Sequence, residues 1–298
     1  MKVLLLRAGA LGDVLLLRPT IFALRAAGEE VTLLAPSEAA CALLGAGPGE
    51  AHAVLPWERA GHAALHAEEA RLPWLTGFDL AVAYTRSAAV LENLRRHISK
   101  VVGWDPTPAG GAHAAEWLAR PVRTLGFAAP ADPPPLAFSP EEREAARRVV
   151  ARLPPRFLAL HPGSGSAAKN WPAPLYEQLA AHLEPHRRWL LVEGPADGEE
   201  VAALHAARGA ERVAGLGARE LGAVLAECGL YVGNDSGVSH LAAAAGAPTL
   251  ALFGPTDPAV WSPVGPRVRA LRARQGALAL LEVDTVGAAA RTLRRGEA

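Results

Sequence analysis

GNDSGVSHLAAAAGAP, residues 233–248, sets a turn of small polar residues between an apolar run and an alanine-rich segment. Leu230-Tyr231-Val232 before it reads as the end of a buried strand, and Val238 to Ala245 after it as a helix. Gly246 suits the position past a helix end, and Pro248 cannot extend the helix. Thr249 to Phe253 (TLALF) then reads as the next strand. The stretch is thus the turn and helix of one βαβ unit, which predicts parallel strands covered by helices.

The same pattern recurs on both sides. Lys2 to Arg7 (KVLLLR) reads as a first strand, Ala8 to Gly12 as a loop, and Asp13 to Ala26 as a helix with Gly28 past its end. Further strands are expected at 31–35, 53–55, 80–84 and 100–103. They are continuous apolar runs rather than alternating ones, as strands of a parallel sheet covered on both faces should be. AAPADPPPLAFSP (128–140) has five prolines and no periodicity, and reads as a linker. Ser139 and Glu142 form a capping pair at the start of a strongly helical segment. The pattern then restarts, with strands at 156–161 and 189–192. Helices are expected at about 172–183, 199–208, 221–226 and 285–295, the last capped by Asp284. Two αβ domains follow, residues 1–137 and 138–298.

Composition narrows the function classes. At 298 residues, half of them apolar, the chain has ample core for two globular domains. Thirty basic residues balance thirty acidic ones, which argues against a broad nucleic-acid surface. Cys41 and Cys228, the only cysteines, exclude a disulfide scaffold and are expected in the core. A cytoplasmic setting fits. Arg7 and Asp13 interrupt the N-terminal apolar run, so no signal peptide is expected. No run of about twenty apolar residues exists, so no membrane span is expected either. Lys2, Lys100 and Lys169 are the only lysines among the thirty basic residues, which makes a lysine inside a polar motif informative.

Three loops carry candidate chemistry. GALGD (9–13) follows the first strand with GxxG spacing, not the GxGxxG dinucleotide fingerprint. It is either a tight turn capped by Asp13, or it sets Asp13 at the carboxyl end of a central strand as a general base. HPGSGSAAKNWP (161–172) lacks Walker A spacing. It is either a flexible loop, or Gly163 to Ser166 turn backbone N–H groups toward an anion beside Lys169. The 233–248 turn offers the Ser236 and Gly237 N–H groups at a helix N-terminus, where the dipole favours an anion. Asp235 there would repel phosphate, so it is given a capping or orienting role. His240 could bond a ligand or be structural. On the anion-binding reading the two loops support each other, because a pyrophosphate needs several donors. His62 and His66 have i,i+4 spacing but no third ligand, so no metal is expected. Glu199 and Glu200, after the 189–192 strand, read as a solvated helix start or as a ribose contact. FGPTDPAVWSP (253–263) forms a rigid loop at the same sheet edge.

Three blocks in this order resemble glycosyltransferase family 9, the ADP-heptose:lipopolysaccharide heptosyltransferases and their relatives. They are GALGDVLLLRPTIFALR (9–25), HPGSGSAAKNWP (161–172) and YVGNDSGVSHLAAAAGAPTLALFGPTDPAVWSP (231–263). The resemblance implies an α/β GT-B fold, two Rossmann-like domains with parallel sheets facing across a cleft. The first would bind the acceptor and the second the nucleotide-sugar, with the final helix crossing back onto the first. It implies inverting, metal-independent transfer of a sugar from an ADP-linked donor to a glycolipid or glycan hydroxyl, with no cofactor. The acceptor could bring the protein to the inner membrane face. It matches the family's first-loop aspartate to Asp13, the candidate catalytic base, and its pyrophosphate-binding lysine to Lys169. Its Asp-Ser/Thr-Gly-x-x-His maps onto Asp235, Ser236, Gly237 and His240. Ser164 and Gly165 match phosphate-contacting positions, and Leu216 falls where backbone reads adenine. Gly12 and Arg86 are candidates on the acceptor side. There YTRSAAVLENL departs from the glutamine- and lysine-containing segment of many relatives, and Arg86 is the nearest basic group. A nucleotide-sugar epimerase or a non-catalytic nucleotide-sugar-binding protein on the same fold is the alternative.

Overall fold

The computed structural model describes every residue except 37, 38, 40, 59–61, 68, 69, 130, 131, 195, 196, 198, 203, 205, 206, 208, 297 and 298, and except the side chains of 62, 63, 199 and 200. The chain divides into two compact units, residues 1–137 and 138–298.

The first unit holds strands β1 (Lys2–Arg7), β2 (Glu30–Ala35), β3 (Ala53–Pro56), β4 (Leu80–Tyr84) and β5 (Lys100–Trp104). All pair in parallel, in the order β3-β2-β1-β4-β5. Leu5 of β1 lies opposite Leu33 on one side and Val82 on the other. Val3 to Leu6 are at most 1% exposed, which explains their unbroken apolar run. The helices are α1 (Leu11–Leu15), α2 (Arg18–Ala26), α3 (His62–Leu65), α4 (Ala88–His97) and α5 (Ala114–Thr124). The single helix expected over 13–26 is therefore two. Pro19 sits in the first turn of α2, where its missing N–H costs nothing, but it could not have continued α1. The proline-rich stretch before residue 138 is tied down by two buried charged residues. Arg18 donates to the Pro134 carbonyl, and Glu50 accepts from Gly47 N–H (2.9 Å) and Ala137 N–H (2.6 Å).

The second unit holds β6 (Leu158–His161), β7 (Trp189–Glu193), β8 (Ala210–Ala214), β9 (Leu230–Asn234), β10 (Thr249–Phe253) and β11 (Val268–Arg272). They form a parallel sheet in the order β11-β10-β9-β6-β7-β8. Its helices are α6 (Pro140–Val149), α7 (Ala173–Leu183), α8 (Glu199–Ala202), α9 (Ala218–Ala226), α10 (Gly237–Ala244), α11 (Pro258–Trp261) and α12 (Val283–Arg295). The Ser139–Glu142 pair forms a reciprocal capping box on α6. The final helix starts at Val283 after Glu282, so Asp284 lies in its first turn rather than capping it. Val286, Ala289, Ala290 and Leu293 of α12 join the core around Leu158, Trp171 and Trp189. The apolar face of this helix packs inside the second unit. Cys228 is buried, and burial pushes its thiol up to about 12. Cys41 is exposed, against the expectation of a core position.

Both sheets reverse their strand order at one point, between β1 and β4 and between β6 and β9. Outside the carboxyl ends of the strands at such a point, diverging loops leave the crevice in which open α/β sheets bind ligands. The loops there are GALGD in the first unit, and HPGSGSAAKNWP and NDSG in the second.

Candidate functional site

In the first unit β1 ends on Arg7, and the turn Ala8 to Ala10 leads into α1. Asp13 is the third residue of that helix, and its side chain folds back. Oδ2 accepts the Ala10 N–H at 3.0 Å, and Oδ1 accepts from Arg7 Nη2 at 2.9 Å. Gly9 has φ +130°, and a Cβ there would lie 2.7 Å from the Asp13 side chain, so only glycine serves this turn. Arg7 is buried and Asp13 is 33% exposed. Burial pushes the Arg7 guanidinium down from its ordinary range, and the Asp13 charge pulls against that. Asp13 is thus both a helix-start acceptor and one half of an ion pair that faces solvent. Gly12 is buried in the same turn of α1. Arg86 lies after β4 and pairs with Asp105 at 2.9 Å, both largely exposed.

In the second unit the loops after β6 and β9 are tied together by one side chain. Asn234, fully buried at the end of β9, accepts at Oδ1 from Trp171 N–H (3.0 Å) and Tyr176 O–H (2.9 Å). Its Nδ2 donates to the Pro162 carbonyl at 2.6 Å. Every one of these partners lies on the β6 loop or the start of α7. Across this brace Lys169 Nζ donates to Asp235 Oδ2 at 2.8 Å, and Thr256 Oγ1 donates to the same oxygen at 2.6 Å. Asp235 therefore orients Lys169 and does not cap α10. The cap is Ser236, whose Oγ accepts the Ser239 N–H. An ammonium group has three N–H donors, so the Asp235 bond leaves two for an anion. The first-turn N–H groups of α10 have no partner inside the helix and carry its positive dipole end. Ser164 is buried, its Oγ 2.6 Å from Asn170 Oδ1, while a Cβ on Gly165 would meet nothing within 4 Å. His240 is buried one turn into α10.

A third segment joins them. His161, at the end of β6, is 2% exposed and bonds Asp197 Oδ2 through Nε2 at 2.8 Å. Its Nδ1 lies 3.3 Å from Ser236 Oγ. Asp197 follows β7, and its Oδ2 also accepts the Gly194 N–H at 2.6 Å. Gly163 is glycine because a Cβ there would sit 1.7 Å from Asp197 Oδ1.

The structure therefore brings Ser164, Gly165, Lys169, Asp235, Ser236, Gly237 and His240 to one edge of the second sheet. Leu216 lies apart, in the turn after β8, two strands from β6. With Glu141, Glu142, Ala145, Ala146, Val149, Glu220 and Val224 it lines a cavity of about 310 Å³. Sequence reasoning missed Arg7, Asn234, Thr256 and Asp197 as members of these clusters, and His161 although it opens the quoted loop. The carboxylate described after β7 is Asp197, while the Glu199, Glu200 and His62 side chains fall outside the described residues. Among the described residues no cluster of His, Cys, Asp and Glu could hold a metal, and no helix is long and apolar enough to cross a membrane.

The chain is 33% identical over 126 residues to lipopolysaccharide heptosyltransferase 2 of Salmonella typhimurium, covering 40% of this chain and 36% of that protein. The solved structure of a family 9 glycosyl transferase from Veillonella parvula superposes with a TM-score of 0.80 at 18% identity, over 99% of this chain and 97% of that one. ADP-heptose lipopolysaccharide heptosyltransferase II of E. coli superposes with a TM-score of 0.79 at 22% identity, over 100% of this chain and 99% of that one. These likenesses show the GT-B fold, two parallel-sheet α/β units. The sequence profile described as glycosyltransferase family 9 (heptosyltransferase) matches residues 86–286, most of the chain, and the chain belongs to that family.

Proposed function

We propose that this protein transfers heptose from an ADP-linked donor to a hydroxyl of a lipopolysaccharide-type acceptor, with inversion and without a metal. The observation that carries the reading is the convergence of the loops after β6 and β9 at the strand-order reversal. There Lys169, with two N–H donors to offer, stands beside the first turn of α10. That set of donors suits a diphosphate. The family membership supports a sugar as the group transferred, and the ADP-heptose enzyme of E. coli with the same fold supports the donor.

In this reading the second unit binds the donor. Ser164, Gly165, Lys169, Ser236 and Gly237 contact the diphosphate, Asp235 holds Lys169, and His240 contacts the sugar-phosphate end. Leu216 receives the base. Asp13 in the first unit takes the acceptor proton as that oxygen attacks the anomeric carbon opposite the leaving group. Gly12 and Arg86 contact the acceptor, which draws the protein to the inner membrane face. The carbon–oxygen bond to phosphate breaks with its electron pair passing to the diphosphate. Preorganised donors aimed at that growing charge are each worth on the order of 3 kcal/mol in a dry site. A general base contributes about 10²–10⁴-fold.

The test is ADP release from ADP-heptose with and without a heptose-deficient lipopolysaccharide acceptor. Asp13→Ala should lower kcat by about 10²-fold or more and leave ADP affinity nearly intact. Lys169→Ala should weaken ADP binding as well. Full turnover by Asp13→Ala would overturn the base assignment. Tight ADP binding with no acceptor-dependent turnover in the unaltered protein would favour a non-catalytic binding role.

A further inference from the structure

The reading above puts a diphosphate beside a group of side chains whose charges do not suit it. Lys169 is opposed by Asp235 at 2.8 Å, and Asp197 adds a second carboxylate that no arginine or lysine among the described residues pairs with. The Glu193–Arg212 and Asp257–Arg272 pairs at neighbouring strand ends cancel. Tyr231 and Tyr176 are fully buried, and burial raises both phenols, so they stay neutral. With His161 neutral, an anion would meet one lysine against two carboxylates.

His240, one turn into α10, and His161 are the two histidines at this edge, and His161 is bonded both to a carboxylate and to a hydroxyl of the phosphate turn. Asp197 accepts a hydrogen bond from Nε2–H, so in a neutral ring Nδ1 carries a lone pair. Ser236 Oγ, 3.3 Å away, then donates its only proton to Nδ1 while accepting the Ser239 N–H. That hydroxyl has nothing left to give an anion. If Nδ1 also carries a proton the direction reverses. The ring donates to Ser236 Oγ, whose two lone pairs serve Nδ1–H and Ser239 N–H, and the hydroxyl proton is freed from the imidazole, with the neighbouring Tyr231 oxygen as the acceptor against which an anion competes. The imidazolium is at the same time flanked by Asp197.

We propose that His161 is a positioning residue that takes up a proton when a diphosphate occupies the turns after β6 and β9, and that this proton, held at Nδ1, turns the Ser236 hydroxyl from the imidazole to the phosphate. Asp197 is the group that makes the doubly protonated ring tolerable in a buried position. This rests on the proposed nucleoside-diphosphate site. It assigns His161 and Asp197 to the proton balance of donor binding, separate from Asp13, which takes the acceptor proton.

The test is calorimetric titration of ADP, GDP and UDP into the full chain near neutral pH, in two buffers of different ionisation heat. The difference between buffers gives the protons taken up. His161→Gln should reduce that number by about half a proton or more relative to the unaltered protein, the ligand's own titration being common to both. Asp197→Asn keeps an amide oxygen for both the His161 and Gly194 N–H groups and removes only the charge. It should also lower the proton uptake. A purely packing role for His161 would alter affinity without altering the proton count. ¹⁵N-histidine spectra of the unaltered protein guard against a variant that does not fold: one ring should pass from neutral to doubly protonated as ADP is added. Equal proton uptake in all variants, or no change in any histidine ring, would overturn the inference while leaving the binding site standing. Binding of none of the three nucleotides would overturn both.

Discussion

Gly163→Ala is the substitution that most sharply tests the packing of the second-unit loops. Gly163 does not have a positive φ, so the effect is steric and not conformational. The added Cβ would lie 1.7 Å from Asp197 Oδ1, 1.9 Å from Cγ and 2.3 Å from Oδ2, whereas real Cβ contacts stay beyond 3.0 Å. The carboxylate must therefore move by more than about an ångström. Asp197 is a short side chain, 3% exposed, and it cannot swing without leaving His161 Nε2 and Gly194 N–H. Each buried donor left unpaired costs about 1–3 kcal/mol, so the pair costs about 2–6 kcal/mol. For a unit of this size each kcal/mol moves Tm by about 2–4 °C, which gives a fall on the order of 10 °C. Differential scanning calorimetry should show it in the second-unit transition. Gly165→Ala, two residues on, meets nothing within 4 Å and should stay within about 0.5 kcal/mol of the unaltered protein. Asp197→Ala leaves the same two donors unpaired but empties the space, so adding Gly163→Ala to it should cost almost nothing more. A Gly163→Ala protein melting within about 2 °C of the unaltered one, or additive losses in the double variant, would refute this reasoning.

Asn234→Ala strands Trp171 N–H, Tyr176 O–H and the Pro162 carbonyl at once, and urea unfolding should show a loss of about 3 kcal/mol or more. Arg7→Met removes the charged partner of Asp13 without touching the nucleotide loops. Steady-state kinetics should show kcat falling about tenfold or more, the scale of one charge-assisted hydrogen bond, with ADP affinity unchanged. Glu142 has a carboxyl that burial pushes up, while the Arg219 and Ser139 hydrogen bonds pull it further down, so its folded value lies below the ordinary 4.5. A depressed carboxylate stabilises above its unfolded value and loses that contribution as pH falls through the folded one. The stability gap between the unaltered protein and Glu142→Gln should therefore close as pH drops below about 4.5 in a melting series.

The fold was legible because most strands are buried on both faces and read as unbroken apolar runs. The 230–232, 237–244 and 249–253 elements fall where the GNDSG turn puts them. β8 and β11 went unread for the same reason. They are the two edges of their sheet, AERVA and VRALR, and only Val213 among their residues is buried, so neither shows a core pattern. Glycine and serine spacing in the loops was enough to single out Lys169, Asp235 and Ser236. It could not show that Lys169 is tethered to Asp235, that Arg7 holds Asp13, or that Asp197 reaches His161 across 36 residues. The Lys169–Asp235 and Asp197–His161 contacts come from strands adjacent in the sheet but distant in sequence, and the Arg7–Asp13 contact from the fold of the turn at Gly9. The one local hint was Gly163, whose missing side chain makes room for a carboxylate that the sequence does not place there.

A crystal structure of the protein with ADP bears most directly on the assignment of the β6 and β9 loops to a diphosphate. The account predicts phosphate oxygens within hydrogen-bonding distance of Lys169 Nζ and of the Ser236 and Gly237 N–H groups, with the Lys169–Asp235 contact kept. ADP seated away from these loops, or seated there with Lys169 turned from the phosphates, would contradict it.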